Sequence, residues 1–225
     1  MEPLDISKLK YVLFDWDNTL AESRPALVAA VNKVLAAYNL PDWEISKEKR
    51  DCNLSFKDNF ANVFGKQNAE AAYEQYREIY KELVPTRIAS FPYAQKVLDF
   101  FSVHNVRMMI VTNKERCLIE YELPLLYDKN LFCNIVCGHE AKADKPHKEH
   151  ALYALKDYIS EKEISPQNVW VIGDSPQDSL MAERINALPI RINQSIWGDE
   201  SDNSNKMIHF SGFQKLYETL ISGKE

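Results

Sequence analysis

Short apolar runs alternate with helical patterns along most of this chain. The runs are YVLF at 11–14, VRMMIV at 106–111, NIVCG at 134–138, VWVI at 169–172 and LPIRI at 188–192. Each is the length of a strand, and each is followed by polar or turn-forming residues. Between them lie stretches with apolar positions at helical spacing: Val97, Leu98 and Phe101; then Arg116 to Tyr127 around Pro124; then Ala151, Leu152, Leu155 and Ile159. A further helix follows VWVI to about Ala187, and Phe213 to Ile221 forms a closing one. Strands alternating with helices build a parallel sheet from strand–helix–strand units, so the pattern predicts an α/β fold with a Rossmann-like core. The polar stretch Asn193 to Asn205 reads as loop.

One region breaks the alternation. From Glu22 to about Val84 there is helix after helix and no convincing strand. Ser23 is placed to cap a helix with Pro25 in its first turn, and Leu27, Val31, Val34 and Tyr38 mark its inner face. Pro41 ends that pattern, and the charged segment DWEISKEKRDCNLSF leads to a short helix near Lys57 to Phe64. A longer helix then aligns Ala69, Ala72, Tyr73, Tyr76, Tyr80 and Leu83 on one face, the tyrosines as packing between helices. The expected organisation is a core of residues 1–21 and 86–225 carrying a small helical domain, 22–85, inserted after the first strand.

The candidate chemistry lies where strands end. YVLF runs into Asp15 and Asp17, two positions apart, with Asn18 and Thr19 following. Carboxylates this close repel unless a cation sits between them or one is protonated, which points to a hard metal such as Mg²⁺. Alone, the stretch also reads as a strand followed by an Asp/Asn turn. The later segments shift the balance. Thr112 and Asn113 follow VRMMIV, Lys145 lies in the loop beyond NIVCG, and Asp174 and Asp178 follow VWVI. In an open parallel sheet the C-terminal strand ends share one edge, where ligands bind. Parallel topology would therefore collect a nucleophile, a second acid, a hydroxyl, a cation and further carboxylates, a set suited to phosphoryl transfer.

Composition narrows the partners. With 27 basic and 33 acidic residues the formal charge is -6, and no basic block offers a nucleic-acid footprint. No apolar run approaches about 18 residues and MEPLDISKLK lacks a signal-like apolar region, so neither membrane nor secretion is expected, and a cytoplasmic address follows. Cys52, Cys117, Cys133 and Cys137 read as reduced thiols. Cys133 and Cys137, near His139, His147 and His150, imitate a zinc cluster, but their spacing fits no zinc pattern; they flank or occupy an apolar strand, where buried thiols are common.

Four motifs in order, DWDNTLAES, VTN, Lys145-Pro146 and GDSPQD, resemble the haloacid-dehalogenase-like superfamily, and more narrowly its phosphoglycolate phosphatase-like branch, over roughly residues 9 to 192. That resemblance implies a Mg²⁺-dependent phosphatase acting on a small phosphate ester. In it Asp15 is the nucleophile, and Asp17 is the general acid and later base, with its backbone carbonyl on the metal. Thr112 and the Asn113 backbone hold phosphoryl oxygens, Lys145 cancels charge between Asp15 and the phosphate, Asp174 binds Mg²⁺, and Asp178 supports that shell. The carboxylate at Asp17 separates ester cleavage from dehalogenation, whereas a sugar-phosphate mutase shares every core residue. A catalytically idle binding or regulatory module on the same fold is the alternative from another class. The chain departs from the branch's usual residues at Asn18 and Tyr93, where glycine is common, at Lys148, and over Ala187 to Pro189. Substrate choice is expected from the helical lobe, with Arg50 preferred among Lys47, Lys49, Arg50 and Lys57 for an anionic substrate. Monomer and homodimer remain equally open.

Overall fold

In the computed structural model, residues 4–43, 56–193 and 207–222 are described. Among them, six strands form one parallel sheet: β1 (Tyr11–Phe14), β4 (Arg107–Val111), β5 (Phe132–Val136), β6 (Val169–Gly173), β7 (Leu188–Ile192) and β8 (Ile208–Phe210), in the order β5-β4-β1-β6-β7-β8. Central β1 pairs with β4 on one side and β6 on the other, so Leu13 stands beside both Met109 and Val171. Alternate side chains of β1 supply the two faces. Val12 and Phe14 join the apolar cluster of α4 (Ala94–Val103), α5 (Arg116–Leu126) and α8 (Phe213–Ser222). Tyr11 and Leu13 join that of α6 (Lys148–Leu155) and α7 (Pro176–Arg184). Both faces being covered explains why these strands read as apolar runs.

Three helices pack on one another around a separate apolar cluster: α1 (Arg24–Ala37), α2 (Phe56–Phe64) and α3 (Ala69–Arg87). Phe60 meets Tyr73 edge to face at 5.1 Å, and Tyr76 lies 5.6 Å from it, so the tyrosine stripe packs between helices as the spacing predicts. Helix α3 runs past Pro85 to Arg87, because a proline near a helix end forfeits only one internal bond. The chain enters and leaves this lobe through a ribbon the sequence did not reveal: β2 (Ala21–Glu22) pairs antiparallel with β3 (Ala89–Ser90). Two-residue strands carry no periodicity to read.

Other differences have similar causes. Strand β8 went unread because MIHF is short and mixed; pairing with β7 makes it a strand. Cys133 is exposed while Cys137 is buried, since β5 is an edge strand. Ser23 occupies the α1 N-cap position, but its hydroxyl makes no cap bond there and donates instead to Asp17. At the two positions where the branch favours glycine, Asn18 has φ 57° and Tyr93 φ 66°. Asparagine adopts the left-handed region readily; for tyrosine it is costly.

Candidate active site

Each predicted residue outside the lobe lies at or just beyond the C-terminal edge of the sheet. The backbone N–H of Asp15 still donates to Ile172 at 2.9 Å, and that of Thr112 to Val136 at 3.0 Å. Both side chains are therefore held at the ends of paired strands, where the strand order reverses around β1. The turn after Asp15 closes when the Asn18 N–H donates to Ala21 at 2.7 Å, and the Asn18 amide donates to Asp174 Oδ2 at 2.8 Å.

Lys145 is the centre of the buried charge. Its Nζ lies 2.5 Å from Asp15 Oδ1 and 2.7 Å from Asp178 Oδ1. Asp178 sits in the first turn of α7 and closes a capping box with Ser175, whose hydroxyl donates to its Oδ2 at 2.6 Å. The helix cap thus fixes the carboxylate that grips the lysine. The backbone of Lys145 is fixed as well. Its N–H donates to Asn113 Oδ1 at 2.9 Å and to His150 Nδ1 at 3.1 Å, while the Asn113 amide donates back to Lys145 O at 3.0 Å. His150 Nδ1 is thereby an acceptor, so Nε2 carries the proton that faces Cys137 O at 3.2 Å. Burial, and then Lys145, push His150 down to about 4. The Asn113 side chain serves the loop, and no described group accepts its backbone N–H.

Carboxylate oxygens of Asp15, Asp174 and Asp178 lie within 4.8 Å of one another, the one metal-capable cluster among the described residues. Burial pushes Asp15 up to about 6 despite Lys145, and Asp178 and Asp17 push the same way. Asp174 is held well above the ordinary carboxylate range by burial, then by Asp15 and Asp178. Burial works against the Lys145 charge, yet Asp15 and Asp178 raise it above the usual lysine value. One ammonium among three buried carboxylates leaves excess negative charge, and an all-oxygen set of this kind fits Mg²⁺. The Asp17 carboxylate is not among the oxygens of this cluster. Cys133, Cys137 and the nearby histidines form no metal-capable group among the described residues.

Asp17 lies in a second cluster. Its Oδ1 accepts from Ser23 Oγ and from Lys114 Nζ, the latter at 2.7 Å. Lys114 also donates to Tyr80 OH at 2.9 Å and to Glu122 Oε2 at 3.0 Å, the oxygen that accepts from Trp16 Nε1 at 2.6 Å.

A model of haloacid dehalogenase-like hydrolases matches residues 12–191. The chain belongs to that family. This haloacid dehalogenase-like hydrolase is similar to proteins named as phosphatases. It is 28% identical over 196 residues to phosphoglycolate phosphatase 1 of Pseudomonas aeruginosa, covering 81% of this chain and 69% of that one. To the phosphoglycolate phosphatase of Xylella fastidiosa it is 26% identical over 210 residues, 92% of this chain and 88% of the other. Its fold matches the crystal structure of a predicted phosphoglycolate phosphatase from Haemophilus somnus with a TM-score of 0.79 at 19% identity, over 95% of this chain and 99% of that one.

Sequence reasoning missed the second cluster of this hydrolase. Glu122 was legible as an acid among the inward positions Leu118, Ile119 and Leu123 of α5, and all four are buried. Lys114 gave no signal, since a lysine after a strand is ordinarily solvated. Tyr80 does more than pack, because its hydroxyl reaches Lys114. Arg50, Lys47 and Lys49 lie outside the described residues, as does the side chain of Lys57. No helix among the described residues is long and apolar enough to cross a membrane.

Proposed function

We propose that this enzyme is a Mg²⁺-dependent phosphatase that hydrolyses a small-molecule phosphate monoester through an aspartyl-phosphate on Asp15. The observation that carries the reading is the buried Lys145 ammonium bracketed by Asp15 and Asp178, with Asp174 beside them. A lysine so held can face a phosphoryl dianion next to a nucleophilic carboxylate, whose charges would otherwise repel.

In the first step an Asp15 oxygen attacks phosphorus in line as the phosphorus–oxygen ester bond breaks. The proton that the departing alkoxide needs comes from Asp17. In the second step Asp17 takes a proton from water, which attacks the aspartyl-phosphate, releases inorganic phosphate and restores Asp15. The Thr112 hydroxyl and the Asn113 N–H, which has no acceptor among the described residues, are the donors for phosphoryl oxygens. A divalent cation held by Asp15, Asp174 and the Asp17 carbonyl, with Asp178 in support, would cancel charge between nucleophile and phosphate. Residues 22–85 act as a cap domain that excludes water during the first step and, through the segment containing Arg50, selects the ester.

The test is inorganic phosphate release from a panel of small phosphate esters, with and without Mg²⁺, for the wild type and Asp15→Asn. Release that needs Mg²⁺ and disappears in the variant is the expected result. Folded wild type that releases phosphate from no ester, or an Asp15→Asn variant that retains turnover, would overturn the reading.

A further inference from the structure

We infer that Lys114 is a positioning residue for Asp17: it occupies one carboxylate oxygen, Oδ1, and leaves Oδ2 as the oxygen that carries the proton to the leaving group. The inference rests on the acid role proposed above for Asp17.

The valence of the ammonium carries the argument. Lys114 Nζ has three protons, and three protein acceptors surround it: Asp17 Oδ1 at 2.7 Å, Glu122 Oε2 at 3.0 Å and Tyr80 OH at 2.9 Å. A substrate anion could be held only by displacing one of them. The lysine side chain is 6% exposed and that of Glu122 fully buried, so the cation is not a surface charge waiting for a ligand. Its placement is fixed from behind. Trp16 Nε1 holds Glu122 Oε2 at 2.6 Å, and Trp16 stands in the chain between Asp15 and Asp17, so one short segment sets the nucleophile, the acid and the grip on the lysine's counter-charge.

At Asp17 the consequence is an asymmetry. Oδ1 has two donors, Lys114 and Ser23, while Oδ2 has no protein partner among the described residues. The side chain keeps 30% exposure. A carboxyl fixed through one oxygen presents the other in a single orientation, and misplacement of a reacting group by about 1 Å costs roughly 100-fold in rate. Tyr80 comes from α3 in the helical lobe, so the lobe contributes one of the three acceptors that hold the lysine.

The discriminating experiment is kcat/KM on two substrates: the best alkyl phosphate of the ester panel, whose alkoxide must be protonated as it leaves, and p-nitrophenyl phosphate, whose phenolate leaves with little need of an acid. Lys114→Met is measured beside Lys114→Met/Glu122→Gln, in which no uncompensated carboxylate stays buried, and beside Asp17→Asn. In the two Lys114 variants, kcat/KM on the alkyl ester is expected to fall roughly 100-fold, and on p-nitrophenyl phosphate by less than about 5-fold. Equal losses on both substrates, or no loss on either, would overturn the inference, because a phosphate-binding cation or general structural damage cannot sense the leaving group. Asp17→Asn separates the two levels: if it shows no preference for the alkyl ester, the acid role itself fails. If it shows that preference and the Lys114 variants do not, only the positioning role fails.

Discussion

Gly173, the last residue of β6, has no room for a methyl group. A Cβ built there would lie 2.2 Å from Asp178 Cγ and 2.3 Å from its Oδ2, more than an ångström inside ordinary contact at 3.4 Å. Asp178 is 3% exposed and is committed to Lys145 at 2.7 Å and to Ser175 at 2.6 Å, so it cannot turn away without giving up both. Overpacking costs about 1–3 kcal/mol, and hydrogen bonds to charged groups contribute about 1.5–3 kcal/mol each. Gly173→Ala is therefore expected to lose about 3 kcal/mol, a fall in Tm of about 6–12 °C for a chain of this size. Because the displaced carboxylate holds Lys145, kcat/KM should drop roughly 100-fold. Thermal melts and phosphate release are compared with Gly212→Ala, whose new Cβ would have only Asn193 Oδ1 nearby, at 3.6 Å. If Gly173→Ala melts and turns over like Gly212→Ala, the account of how Asp178 is held is wrong.

Three further outcomes are expected. His150 takes up its proton at about 4 in the folded chain against 6.5 when free, so the stability it supplies is full above about 6.5 and is lost as pH falls toward 4. This amounts to something on the order of 3 kcal/mol; in denaturant titrations the gap between wild type and His150→Asn should close over that window, and a gap independent of pH would contradict the neutral-acceptor assignment. Magnesium at about 100 times its dissociation constant should stabilise the folded chain by about 2.7 kcal/mol and raise Tm by about 5–11 °C. Asp174→Asn should lack that rise, and a wild type indifferent to Mg²⁺ would count against the cation site. Trp16→Phe removes the indole donor 2.6 Å from the fully buried Glu122. It should cost about 1–3 kcal/mol, read as a lower Tm, and an unchanged melt would show that Lys114 alone satisfies that carboxylate.

Much of the site was legible because it is written in contiguous segments. YVLF followed by Asp-Trp-Asp, VRMMIV by Thr-Asn, and VWVI by Gly-Asp each join an apolar strand to a polar end, and once the strands are parallel their ends must share an edge. The helical lobe was legible for the same reason, since periodicity is local. What stayed hidden depends on distant residues meeting. Lys114, Trp16 and Tyr80 come from a loop, the turn after β1 and α3, and none looks special in its own neighbourhood; Glu122 stands out on α5 as an acid on the inward face, but its partners do not. Likewise, Ser23 read as a helix cap until the fold placed Asp17 within reach of its hydroxyl. Strand β8 and the β2–β3 ribbon exist only through pairing partners far along the chain. The sequence by itself determined the order of the elements and the identity of the groups at the strand ends, because both depend on residues a few positions apart. Tertiary structure alone decided which acceptors surround each buried cation, because burial makes an unpaired charge costly and the available partners are set by packing across the whole chain.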